Sequence, residues 1–114
     1  MKVENENFLV DFIPSENTVK FNGSLRLNGM KEYEPILEIL DQGLQEANSP
    51  LILDLTSLDF LNSSGISMFS KFVIKVRNQQ KINLIIMGSQ KIPWQSKSLK
   101  NLQRLMPSLV LEIV

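Results

Sequence analysis

From Asp54 to Ile66 the chain reads Asp-Leu-Thr-Ser-Leu-Asp-Phe-Leu-Asn-Ser-Ser-Gly-Ile, an apolar run that gives way to small amide and hydroxyl side chains. Asn62, Ser63, Ser64 and Gly65 are the residue types that open helices, because their oxygens accept from the N–H groups that a first helical turn leaves without partners. The same free donors, at the positive end of the helix dipole, can hold an anion. Capping and anion binding therefore ask for the same residues, and both roles are open to this stretch. There is no phosphate loop of the GxxxxGK[ST] or GxGxxG kind, which counts against a nucleotide site. Asp54 and Asp59 flank the segment and have the types of an acid/base pair, but Asp54 sits in an apolar strand and Asp59 in a turn. The chain contains no histidine and no cysteine, which removes imidazole bases, thiol nucleophiles, disulfides and Cys/His zinc sites. No enzymatic activity, cofactor or metal is expected.

The elements that must position this corner follow from the period of the apolar residues. Phe8, Val10 and Phe12 alternate with their neighbours, Pro14 to Asn17 supply turn chemistry, and Val19, Phe21, Gly23 and Leu25 alternate again; this is a β-hairpin. After Asn28-Gly29, apolar positions Ile36, Leu37, Leu40, Leu44 and Ala47 recur at helical steps with Glu34, Glu38 and Asp41 opposite. Pro35 is harmless only in a first turn, so this helix is expected to begin within a few residues of Lys31. Leu51 to Leu55 reads as a strand covered on both faces, the centre of the sheet. A second helix starts at the Ser-Ser pair and buries Ile66, Phe69, Phe72, Val73 and Val76. Ile82 to Ile86 is a further strand. A third helix from about Trp94 exposes Lys97, Lys100 and Arg104, and Leu109 to Ile113 is the last strand. Trp94, the only tryptophan, is open to two roles, packing at a helix start or an exposed anchor for a partner.

Strands joined through helices lie parallel with right-handed crossovers. The expectation is therefore an α/β fold, one domain over residues 1–114 with its core from about 8 to 114. Its sheet would be mixed, mostly parallel and of four to five strands, with an antiparallel N-terminal hairpin and three or more helices. The 114 residues suffice for one core and not for two. No apolar run approaches the ~18 residues of a membrane span and the first residues are acidic and polar, so a cytoplasmic protein without a membrane partner is expected. The net charge of zero hides an asymmetry: residues 1–50 hold nine acids against four bases, and residues 51–114 three acids against eight bases. No aromatic-basic interleaving accompanies the positive half, so nucleic acid is not an expected partner.

The run Asp-Leu-Thr-Ser-Leu-Asp-Phe-Leu-Asn-Ser-Ser-Gly-Ile resembles the signature of the STAS domain, the family of bacterial anti-sigma factor antagonists, and the element order agrees over roughly residues 8 to 114. The resemblance implies a non-catalytic regulator of signalling and transcription. Such a protein docks on an anti-sigma factor or related serine kinase, is switched off by phosphorylation of a loop serine, and is restored by a phosphatase. It places the phospho-acceptor on Ser63, less readily on Ser64, and the partner-binding residues on Asp54, Asn62, Ser63, Ser64, Gly65 and Ser67. The family's acidic residue before the acceptor is Asn62 here, which keeps the size and loses the charge. The alternative reading is an anion- or nucleotide-sensing module of a bacterial signalling assembly. Oligomeric state stays open.

Overall fold

The computed structural model describes residues 1–114. Its elements in chain order are β1 (Lys2–Glu4), β2 (Phe8–Ile13), β3 (Thr18–Leu25), α1 (Gly29–Glu46), β4 (Leu51–Leu61), α2 (Ser63–Gln79), β5 (Leu84–Gly88), α3 (Gln95–Leu105) and β6 (Val110–Ile113). They form one six-stranded sheet whose spatial order is the chain order. β1, β2 and β3 pair antiparallel, and β3 to β6 pair parallel. The sixth strand, beyond the four to five expected, is β1, a three-residue edge on β2 in which Lys2 and Glu4 are exposed and only Val3 packs against the core.

Hydrophobic alternation sets the faces. In β2, Phe8, Val10 and Phe12 are buried while Leu9, Asp11 and Ile13 are half-exposed, and a short 3-10 turn ending on Asn17 in the left-handed region (φ 51°) reverses the chain into β3. Each parallel crossover advances one strand in the same direction, so right-handed crossovers put all three helices on one side of the sheet. The helices accordingly pack side by side, α1 on α2 and α2 on α3. β4 is therefore covered on one face only: Leu51, Leu53 and Leu55 are buried under helices, and Ile52, Asp54 and Thr56 stay half-exposed on the open face. This corrects the expectation of a strand covered on both faces. Beneath the helices lies one apolar cluster, with Phe21 and Phe69 ring centroids 5.1 Å apart.

β4 also runs six residues beyond Leu55, where the sequence suggested the strand ended, and takes in Asp59, which was expected in a turn. Its register against β3 shifts twice, from Lys20↔Asp54 to Asn22↔Ser57 and from Gly23↔Leu58 to Ser24↔Phe60, so β4 twice carries an extra residue. These bulges turn a period of two into a period of three, which keeps Leu55, Leu58 and Leu61 all on the buried face. On its other side β4 pairs with β5 only from Leu51 to Asp54. Gln95, fully buried, closes the gap: its Nε2 donates to the carbonyls of Leu55 (2.6 Å) and Leu58 (3.0 Å), and its Oε1 accepts from the Ser89 amide (2.7 Å). Trp94 Nε1 donates to the same Leu58 carbonyl at 3.2 Å. The tryptophan is thus half-buried and tied to β4. α1 begins at Gly29, so Pro35 falls in its second turn rather than its first. Pro35 and Lys31 are both exposed, and water can take the carbonyl that the proline leaves without a donor.

Candidate functional site

The bulged β4 ends at Leu61 and α2 begins at Ser63, leaving Asn62 as the single residue of the turn. Asn62 has extended backbone angles and its Oδ1 accepts from the Gly65 amide at 2.9 Å, the N-cap interaction its type suggested. Its other atoms are equally committed. Oδ1 also accepts from the Tyr33 hydroxyl at 2.8 Å, and Nδ2 donates to the Leu27 carbonyl at 2.7 Å. One amide thus joins the start of α2, the buried tyrosine of α1 and the loop before α1. An aspartate could cap the helix but could not donate to Leu27, so the local hydrogen bonding accounts for the uncharged residue at this place.

Ser64 reinforces the join: its Oγ accepts from the Gly29 amide at 3.2 Å, the first residue of α1. Gly65 is buried, and a Cβ there would overlap the Leu61 side chain and come within 2.9 Å of the Tyr33 hydroxyl. Only glycine lets α2 approach this closely. Burial pushes the Tyr33 hydroxyl pKa up from its ordinary value of 10.0, partly offset by hydrogen bonding at the Leu27 backbone, so it remains a neutral donor at physiological pH.

Ser63 is different. It is exposed at the first position of α2 and its hydroxyl bonds to nothing else in the chain. First-turn amides have no intrahelical acceptor, so an anion on this hydroxyl would meet the positive end of α2. Ser67, one turn on, is exposed as well. The structure therefore brings Asn62, Ser63, Ser64, Gly65 and Ser67 together at one corner. It does not bring Asp54 there. That residue lies on the open face of the sheet between Lys20 and Met87, and its Oδ1 accepts from the Thr56 amide (3.0 Å) and hydroxyl (2.6 Å) across the first bulge.

Beside the corner, at the same C-terminal end of the central strands, the Arg26 guanidinium stands 4.5 Å from the centroid of the Phe60 ring. Phe60 is 39% exposed, unusual for a large apolar side chain here. The sequence reading passed over Phe60, Arg26 and the buried Tyr33. No motif marks them, and only the fold brings Tyr33 to Asn62 and Arg26 to Phe60. No cluster of carboxylates is placed to hold a metal ion, and no helix is long and apolar enough to cross a membrane.

A two-layer α/β domain with an antiparallel entry hairpin, parallel βα units and a hydroxyl-bearing corner before its second helix defines a class. The STAS domain family model matches residues 31–107, and the chain belongs to that family. Among solved structures it is similar to SiaC of Pseudomonas aeruginosa, with a TM-score of 0.74 and 13% identity over 100% of this chain and 96% of that one. It is likewise similar to a chain in the crystal structure of the diguanylate cyclase SiaD in complex with its activator SiaC from the same organism. There the TM-score is 0.72 and the identity 11%, over 100% and 99% of the two chains. At these identities the likeness concerns the fold. No curated protein sequence matches the chain.

Proposed function

We propose that the protein is a non-catalytic, cytoplasmic signalling regulator of the anti-sigma factor antagonist type. It docks its Asn62-Ser63-Ser64-Gly65 corner on a serine kinase or anti-sigma factor and is switched by phosphorylation of Ser63, which a phosphatase reverses. The observation that carries this reading is the division of labour at the corner. Asn62, Ser64 and Gly65 are consumed in holding it rigid, while Ser63 is presented outward without an internal role. A phosphoryl group there adds a charge of about −1.5 to −2 at a helix N-terminus, where an anion is favoured by roughly 0.3–1 kcal/mol. The fold tolerates the switch, so inactivation acts at the interface: a dianion buried against a partner without a cation opposes binding, and about 2.8 kcal/mol is already a hundredfold in affinity.

The complex of the similar SiaC with a diguanylate cyclase supports a signalling enzyme as an equally suitable kind of partner. The anion-sensing alternative is less well supported, because the Gly65 amide, one of its donors, is already taken by Asn62. Intact-mass analysis of the protein from its own host, with fragment mapping over residues 50–75, tests the switch. A phosphate on Ser63 is expected, and its absence under every growth condition refutes phosphoregulation.

A further inference from the structure

The three helices share one exposed layer, and charge is sorted across it. On α1 Glu34 and Glu38 stand one turn apart on the outward face, preceded on that face by the single base Lys31 in the first turn. On α3 the outward residues Lys97, Lys100 and Arg104 form a stripe opposite the buried Leu99 and Leu102. Between them, the outward stripe of α2 is Ser67, Ser70 and Ile74, which carries no charge. The lysines Lys71 and Lys75 lean aside into the groove against α1, where Lys75 bonds Asp41 at 2.9 Å. None of Glu34, Glu38, Lys97, Lys100 and Arg104 forms an ion pair within its own chain. Residues 60–111 contain eight bases and not one acid.

We propose that this helical face binds a second copy of the chain, as a two-fold dimer. β3 to β6 are parallel, so the helices that return between them are parallel to one another. A two-fold axis parallel to α2 then lays α1 of each protomer along α3 of its partner and brings the two α2 helices together. The acidic stripe meets the basic stripe twice, and the uncharged stripe meets itself at the axis. The residue spacings agree, since Glu34 and Glu38 are four apart and Lys97, Lys100 and Arg104 are three and four apart. An isologous contact needs such self-complementarity, and a pattern that is acidic on one side of its centre and basic on the other provides it. The molecule measures 33 × 28 × 25 Å, so one whole face is of the order of the roughly 800 Å² per partner of a standard interface. The stripe on α2 continues from Ser63, so the dimer covers the corner that the proposed partner would grip, and self-association would compete with docking. The dimer itself does not depend on that reading.

Sedimentation velocity on the purified full chain tests it. A reversible dimer is expected, weakening as salt rises from about 0.05 to 0.5 M because the contacts are screened. Glu34→Lys/Glu38→Lys and Lys97→Glu/Lys100→Glu/Arg104→Glu should each raise the dimer dissociation constant by about tenfold or more, since like charges then face each other. Mixed in equal amounts the two variants should form a heterodimer, because both α1–α3 contacts regain opposite charges, and that recovery also shows both variants to be folded. A wild-type chain that stays monomeric at low salt overturns the proposal. So does a dimer indifferent to both sets of substitutions, or a mixture that fails to associate.

Discussion

Replacing Asn62 by aspartate isolates the reason for the uncharged residue at the corner. The change preserves shape and capping and removes one donor, so the Leu27 carbonyl now faces a carboxylate oxygen where Nδ2 stood at 2.7 Å. Leaving that half-buried acceptor unpaired costs about 1–3 kcal/mol. Against this, a negative charge at the start of α2 contributes about 0.3–1 kcal/mol, and the bonds from Gly65 and Tyr33 gain strength by becoming charge-assisted. The lost donor and the repulsion between the Leu27 carbonyl and the carboxylate oxygen that replaces Nδ2 together outweigh these gains, and the variant should be destabilised by about 1 kcal/mol at pH 7. In urea this reads as a lower midpoint at unchanged slope. The sign of the pH dependence follows from the proton: below the range where the new carboxyl ionises it can donate O–H to Leu27, and the deficit relative to wild type should shrink. Equal or greater stability of Asn62→Asp at pH 7 would refute the assignment of Asn62 as a donor-dependent hub.

Gln95→Leu keeps the volume of a fully buried side chain and strips the partners from the carbonyls of Leu55 and Leu58 and from the Ser89 amide. A loss of about 2–4 kcal/mol in urea unfolding is expected, since each stranded group costs about 1–3 kcal/mol and water relieves part of it. Gly65→Ala forces Leu61 and Tyr33 apart and should cost about 1–3 kcal/mol. Ser63→Ala should leave the free energy of unfolding within about 0.5 kcal/mol of wild type, because that hydroxyl bonds to nothing. Tyr33 titrates above 10.0 in the folded chain. The native state therefore keeps its proton where the unfolded chain loses it, and the stability this contributes is complete below about pH 10 and lost as pH rises through the folded value. In Tyr33→Phe that share of alkaline destabilisation should vanish from unfolding curves taken above pH 10.

Much of the architecture was legible from residue types. Phe8 to Leu25 alternated with a turn between, and the helical steps of Ile36 to Leu44 and Phe69 to Val76 placed α1 and α2 in the right order. The polar β1 escaped notice because an edge strand held by backbone hydrogen bonds needs no apolar alternation. The end of β4 was hidden by its bulges, which gave Leu55, Leu58 and Leu61 a spacing that matches neither strand nor loop patterns. At the corner, the capping role of Asn62 and the glycine at 65 could be read locally. The donation to Leu27 and the tie from Ser64 to Gly29 could not, since they join segments about 35 residues apart that only the fold brings together. Asp54 was grouped with the corner by the family resemblance, whereas the strand carries it to the open face.

The most direct measurement is the affinity of Ser63→Asp and Ser63→Ala for the partner that the wild-type chain retains from its host, with both variants first shown to unfold at the wild-type midpoint. The account predicts that Ser63→Ala binds like wild type and that Ser63→Asp is weaker by about a hundredfold, some 2.8 kcal/mol. Equal binding of both variants would contradict it.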